Sequence, residues 1–224
     1  TFGREGDLPV VGDFNGDGRI DLVTAIVQGE HRLGEPDPGF HGRIRFYLGR
    51  GPQALFDTIP DLMLEGKEME AFGALPNQRR PGVTALDYNG DGYDDLLVRQ
   101  YEPNALPRLC FALYRGGLEI SPIPVAYLTE RRDFPADHFS DDLMIGDLNG
   151  DGKDDVLVYG SNAFTSTPGR VPYWDVYLGN ENFSAAYPDR IISSDKGWSP
   201  SYSGSSGVFD INVDGHADIL DGLY

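Results

Sequence analysis

Asp13-Phe14-Asn15-Gly16-Asp17-Gly18-Arg19-Ile20-Asp21 is the first of four copies of one acidic loop, and its reading decides the fold. The others are Asp87-Tyr88-Asn89-Gly90-Asp91-Gly92-Tyr93-Asp94-Asp95, Asp147-Leu148-Asn149-Gly150-Asp151-Gly152-Lys153-Asp154-Asp155 and Asp210-Ile211-Asn212-Val213-Asp214-Gly215-His216-Ala217-Asp218. Each reads D-x-N-x-D-G-x-x-D. A hard cation such as calcium takes about six to eight oxygen ligands, and a short loop supplies them only by coiling around the ion. Side-chain oxygens at positions one, three and five then converge. The glycine at position six permits a sharp reversal, position seven turns its backbone carbonyl inward, and the Asp at position nine closes the cage. The side chain at position seven is therefore free to vary, and it is Arg19, Tyr93, Lys153 and His216 in the four copies. One copy alone could be an Asp/Asn/Gly-rich turn that binds nothing. Four copies that keep every side-chain ligand point to metal.

The residues after each loop separate the loop families that share this spacing. Helix-flanked calcium loops usually carry an acidic ligand at position twelve; here that position is Thr24, Val98, Val158 and Asp221. After the loops come β-branched, apolar runs: Ile20 to Val27, Asp95 to Val98, Asp155 to Tyr159 and Asp218 to Leu220. They read as strands buried on both faces. The loops begin at 13, 87, 147 and 210, intervals of 74, 60 and 63 residues that signal a repeat of one supersecondary unit. Within each unit a short strand enters the loop (Val10–Gly12, Val83–Leu86, Leu143–Gly146, Gly207–Phe209) and the apolar strand leaves it. A third strand ends in glycine (Ile44–Gly49, Phe111–Gly116, Val176–Gly179). A more polar fourth segment comes next, near Phe56 to Leu64, Pro124 to Thr129 and Phe183 to Ile192. Four antiparallel strands per repeat make an all-β chain of β-propeller blades. The expected blades span about 7–66, 80–130 and 141–193, with a partial fourth at about 206–224.

The loops and the Tyr-Leu-Gly strand ends of Tyr47-Leu48-Gly49 and Tyr177-Leu178-Gly179 resemble the FG-GAP repeats of integrin α-subunit propellers and their bacterial relatives. The resemblance covers essentially the whole chain. It implies that each loop binds calcium in the hairpin between the first and second strands of a blade. The side-chain ligands it implies are Asp13, Asn15, Asp17 and Asp21; Asp87, Asn89, Asp91 and Asp95; Asp147, Asn149, Asp151 and Asp155; and Asp210, Asn212, Asp214 and Asp218. Arg19, Tyr93, Lys153 and His216 would contribute carbonyls, for up to four structural Ca²⁺ ions. The Phe-Gly element survives only at Phe2-Gly3 and Phe72-Gly73, and the Gly-Ala-Pro element is missing, so the likeness is to the wider bacterial-type repeat. About three and a half blades are present. The expectation is a portion of a larger propeller of about six to eight blades, completed by the same parent chain or a partner chain; the competing arrangement is a four-bladed ring with a truncated last blade.

Composition fits a cation-loaded exterior protein. The chain carries 36 acidic and 18 basic residues, a net charge of −18, and the ligand positions of the loops alone hold twelve of those carboxylates. A basic footprint for nucleic acid is lacking. No stretch has the apolar length needed to span a bilayer, and the single Cys110 excludes an intrachain disulfide. Calcium supply and the resemblance together place the protein outside the cytosol: extracellular, on a cell surface or in a periplasm.

Function is read less directly. The sequence has no Gly-x-Ser-x-Gly, no His-Glu-x-x-His and no phosphate-binding loop, so no catalytic residue is assigned. In an up-and-down blade the loops between strands one and two share an edge with those between three and four. The long connections 28–42, 101–108 and 160–173, with the inter-blade segments 66–81, 130–141 and 193–206, fall on the opposite face. Long loops on a rigid scaffold are where recognition resides. His31, Arg32, His41, Arg131, Arg132, Trp174 and Trp198 are the candidate contacts there, since aromatic rings beside arginine suit a glycan or a protein ligand. The reading is thus an adhesion or recognition module. The alternative is the propeller portion of a secreted polysaccharide lyase.

Overall fold

The computed structural model describes residues 8–26, 42–52, 55–66, 71–73, 82–101, 109–129, 139–160, 173–183, 187–193 and 207–220. Every regular element among them is a β-strand. The chain falls into two compact units, one within Thr1–Leu86 and Gly92–Tyr127, the other within Asp87–Asp91 and Leu128–Tyr224. The seam between them runs through the second loop.

In the first unit β1 (Leu8–Gly12), β2 (Asp21–Ile26), β3 (Arg43–Tyr47) and β4 (Leu62–Glu65) form one antiparallel sheet in chain order. The second sheet contains β5 (Ala71–Phe72), β6 (Val83–Leu86), β7 (Asp95–Tyr101), β8 (Leu109–Tyr114) and β9 (Ala126–Thr129). In the second unit β10 (Phe139–Gly146), β11 (Asp155–Gly160), β12 (Tyr173–Tyr177) and β13 (Arg190–Ser193) form the third sheet, and β14 (Gly207–Phe209) pairs with β15 (Asp218–Leu220). These are propeller blades, three with four strand positions and one seen as its first hairpin. Each acidic loop joins the first two strands of its blade, as expected.

The apolar runs occupy the second strands. Val23, Leu96, Leu97, Val98, Val156, Leu157 and Val158 are all buried, so these strands are covered on both faces. The fourth strands instead alternate: in β4 Leu64 is buried between exposed Met63 and Glu65, as an outer strand half in solvent requires. Between blades of the first unit Phe14, Ile44, Phe46, Leu96, Val98 and Tyr114 pack in one core. Phe14 meets Phe46 edge-to-face, with ring centroids 5.5 Å apart. Met144, Leu157, Trp174 and Val176 form the core of the second unit.

Two expectations are corrected. The segment 66–81 contains a short strand, β5, which pairs beyond β6 on the same edge of β7: Phe72 opposes Gln100 where Val83 opposes Val98. In blade three the same edge is one longer strand with a register shift between Phe139 and Leu143, and Phe139 opposes Gly160. Blade two thus makes its first strand in two pieces, because Gly73 at φ 76° turns the chain out and Gly82 brings it back to donate to the Gly73 carbonyl. The second correction is Trp174. It lies in β12, 4% exposed, in the core of its unit and not on a recognition loop. Alternation along Tyr173–Tyr177 is hidden because four of the five residues are buried.

Candidate metal-binding loops

The loops wrap their own backbone in the same way. In the first, Asp13 Oδ1 and Asn15 Oδ1 both accept from the Asp17 N–H at 3.0 Å, and Asp13 Oδ2 accepts from the Gly18 N–H at 2.8 Å. The third loop repeats this with Asp147, Asn149, Asp151 and Gly152, and the fourth with Asp210, Asn212, Asp214 and Gly215. In the second, Asp87 and Asn89 accept from the Asp91 N–H at 3.1 and 3.0 Å. Position five then accepts from position seven, as in Arg19 N–H to Asp17, Lys153 N–H to Asp151 and His216 N–H to Asp214. Glycine at position six has φ between 77° and 88° in all four, the left-handed reversal the sequence pattern anticipates.

The position-nine aspartates are placed differently from the rest. Asp21, Asp95 and Asp155 are fully buried. Asp155 Oδ2 accepts from the Leu148 N–H at 2.9 Å and Oδ1 from the Gly179 N–H at 2.8 Å. Asp21 does the same with Phe14 and Gly49, and Asp95 Oδ1 holds Gly116. Burial raises the Asp21 and Asp155 carboxyls above the ordinary range, and these backbone donors partly offset it. Asp214, in the open, is instead lowered by its bonds to His216 N–H and Asn212. The glycine ending each third strand is explained here: its N–H serves position nine, and a Cβ on Gly179 would stand 2.7 Å from the carbonyl of Asp154.

A further regularity, not anticipated from the sequence, links each loop to the next blade. The Asp13 carbonyl accepts from the Asp94 N–H, the Asp87 carbonyl from the Asp154 N–H, and the Asp147 carbonyl from the Ala217 N–H. In return Asp94 Oδ2 takes the Asp13 N–H at 2.6 Å and Asp154 Oδ2 takes the Asp87 N–H at 2.9 Å. Positions one and eight of successive loops are thus clasped. Position four of one loop also lies under position seven of the next: Tyr93 covers Gly16, Lys153 covers Gly90 and His216 covers Gly150. Tyr88 extends the contact, its hydroxyl donating to the Leu178 carbonyl and its ring stacking on Phe183. The repeated Asp-Asp at positions eight and nine of copies two and three was the available signal.

Could these loops hold a cation? Among the described residues no three His, Cys, Asp or Glu side chains are grouped as a metal cluster. Positions one, three, five and seven offer two carboxylates, an amide oxygen and a carbonyl, an all-oxygen donor set of the kind a hard cation takes. A carboxylate oxygen that accepts one N–H keeps further acceptor capacity. The donor chemistry therefore fits. Of the candidate recognition residues, His31, Arg32, His41, Arg131, Arg132 and Trp198 lie outside the described residues.

Comparison with known proteins agrees with this architecture. Residues 13–98 match the family model of the FG-GAP-like repeat. Integrin alpha-V of Gallus gallus is 23% identical over an alignment covering 96% of this chain and 19% of that protein. Residues 13–98 are thus similar to the FG-GAP-like repeat, in keeping with the loops they contain. Among solved structures, Bacillus licheniformis rhamnogalacturonan lyase PL11 superposes with a TM-score of 0.55 at 13% identity, over 96% of this chain and 39% of that one. Rhamnogalacturonan lyase YesW covers 87% and 42% at a TM-score of 0.35. At 13% identity the likeness to the PL11 lyase is one of fold. The chain spans about a fifth of the integrin and two fifths of the PL11 lyase.

Proposed function

We propose that this chain is a calcium-stabilised, extracellular or periplasmic binding module, with cations in its four loops and recognition on the face opposite them. The observation that carries this reading is the recurrence of one carboxylate-and-amide wrapping in all four loops. Asp13, Asn15, Asp17, Asp21 and the Arg19 carbonyl, and their counterparts, would hold each ion, with the position-nine carboxylate also bracing the loop through its backbone hydrogen bonds. The cation supplies charge neutralisation: a chain at −18 places three or four aspartates in each loop, and folding is easier once they are compensated. Partners would be a glycan or a protein, met by the long connections carrying His31, Arg32, His41, Arg131, Arg132 and Trp198. The integrin relative supports the exterior setting, and among the described residues no helix is long and apolar enough to cross a membrane.

Calorimetric titration of chelator-treated protein with Ca²⁺ and with Mg²⁺ tests the metal sites. Calcium should bind with up to four sites and raise the melting temperature, with magnesium much weaker. Absence of both binding heat and a melting shift at millimolar calcium would sink the proposal. Glycan and protein arrays test recognition; release of unsaturated oligosaccharides from rhamnogalacturonan would transfer the chain to the lyase reading.

A further inference from the structure

Each hydrogen bond from one loop back to the loop before it leaves from a peptide group that also carries a candidate ligand. The N–H that Asp94 donates to the Asp13 carbonyl at 3.1 Å belongs to the same peptide as the Tyr93 carbonyl. The Asp154 N–H, given to the Asp87 carbonyl at 2.9 Å, shares its peptide with the Lys153 carbonyl, and the Ala217 N–H, given to the Asp147 carbonyl at 2.7 Å, shares its peptide with that of His216. Tyr93, Lys153 and His216 stand at position seven, whose carbonyl is the backbone ligand of the loop. A trans peptide is planar, with its N–H and C=O pointing in opposite directions. Pinning the N–H to the preceding loop therefore turns the position-seven carbonyl away from that loop. Loop three shows where this leads, since Lys153 lies against Gly90 of the loop before it and Gly150 against His216 of the loop after it. A carbonyl turned away from loop two faces the first five positions of its own loop.

The receiving end is a candidate ligand as well. Asp87 and Asp147 stand at position one, with their carboxylates folded onto their own loops: Asp87 Oδ1 accepts from the Asp91 N–H at 3.1 Å, and Asp147 Oδ2 from the Gly152 N–H at 2.8 Å. The backbone of Asp87 is held twice, its carbonyl by the Asp154 N–H and its own N–H by Asp154 Oδ2 at 2.9 Å. Asp13 is held in the same two ways by Asp94, whereas at Asp147 the partner is Ala217, which has no carboxylate to give. A shift of position one in one loop thus moves the peptide that aims position seven of the next. Charge drawn from that carbonyl also polarises the peptide and strengthens the bond made by its N–H. We infer that these clasps couple cation binding in successive loops, so that filling one loop raises the affinity of its neighbour, strongly between loops one and two and loops two and three, and weakly between loops three and four. The coupling presupposes that the loops are cation sites, and it is reciprocal, as any linkage between binding free energies must be.

Calcium titration of the chelator-treated chain, followed by NMR at the position-six amides of Gly18, Gly92, Gly152 and Gly215, reads each loop separately. Asp151→Ala removes a candidate ligand of loop three whose carboxylate makes neither clasp. It should raise the calcium midpoint at Gly92 about threefold to tenfold. Gly18 and Gly215 should move less than about twofold, because loop one reaches loop three only through loop two and loop four lacks the clasping carboxylate. Adding Asp154→Ala should reduce the effect on Gly92 to that seen at Gly215. Asp154→Asn, which keeps an acceptor oxygen without the charge, should retain it, whereas a bare charge effect would treat Asn and Ala alike. Ala217→Asp should enlarge the effect on Gly215, a gain that poor folding does not mimic. A Gly92 midpoint that ignores Asp151→Ala, or that responds to it equally with Asp or Ala at position 154, would overturn the coupling and leave four independent cation sites standing. Silence of all four glycines in the unaltered chain would remove the cation sites themselves, and the coupling with them.

Discussion

Loop three and loop four have the same spacing and the same internal hydrogen bonds, yet they stand in different surroundings. Loop three is clasped from both sides: Asp154 reaches back to Asp87, and the Asp147 carbonyl receives the Ala217 N–H. Among the described residues loop four is anchored on one side only, with Ala217 where loops two and three have a carboxylate, and its position-nine Asp218 is only half-buried. Val156 and Leu157 are fully buried after the one; Ile219 and Leu220 are exposed after the other. The D-x-N-x-D-G-x-x-D pattern thus folds a loop locally, while the stability of a blade comes from its neighbours.

The largest expected contrast lies at position nine. Asp155→Ala removes a buried carboxylate serving two backbone donors and leaves both N–H groups stranded, so a loss of roughly 3–5 kcal/mol is expected in urea unfolding. Asp218→Ala, in the partly open site, should cost about 1 kcal/mol. Equal losses would mean that the neighbouring blade contributes nothing to this bond. Next comes position four. Gly150→Val places a β-branched residue at φ 73° against His216 and should cost about 2–3 kcal/mol, whereas Val213→Gly should be neutral or stabilising by up to about 1 kcal/mol. A tolerated Gly150→Val would break the contrast outright.

A smaller effect is expected at position eight. Removing the clasp with Asp154→Ala should cost about 1–2 kcal/mol, and Ala217→Asp should return about half as much if its carboxylate reaches the Asp147 N–H. Thermal unfolding of both variants, read with and without calcium, separates this clasp from cation binding. The smallest effect is a matter of protons. In metal-free protein Asp155 should titrate above an ordinary aspartate and Asp214 below one, visible in carboxyl carbon shifts by NMR. The signs oppose each other. The raised Asp155 favours the fold most at low pH, and its contribution fades as pH rises through its folded value; the lowered Asp214 favours the fold at higher pH, and that contribution fades as pH falls through its folded value. Titration of both at one ordinary value would show that burial does not distinguish the two sites.

Much of the architecture was legible because the motif dictates it locally. Loop spacing, buried second strands and glycine-ended third strands all arise from contacts within a few residues or one hairpin. The clasp between positions one and eight was not, since its partners are 67 and 81 residues apart and a lone Asp at position eight looks like any solvated charge. Trp174 was misread for a related reason: its position next to a long connection hid a burial that only packing reveals. β5 escaped notice because two residues, Ala71 and Phe72, are too few for any alternation to show.

The seam between the two units, falling between Asp91 and Gly92, has a consequence for how such chains can be rearranged. In the second loop Asp87–Asp91 group with the unit ahead and Gly92–Asp95 with the unit behind. Each repeat carries position one of one junction and position eight of another, so a single excised repeat leaves both junctions half made wherever it is cut. The smallest piece that keeps one such clasp whole therefore holds two successive loops.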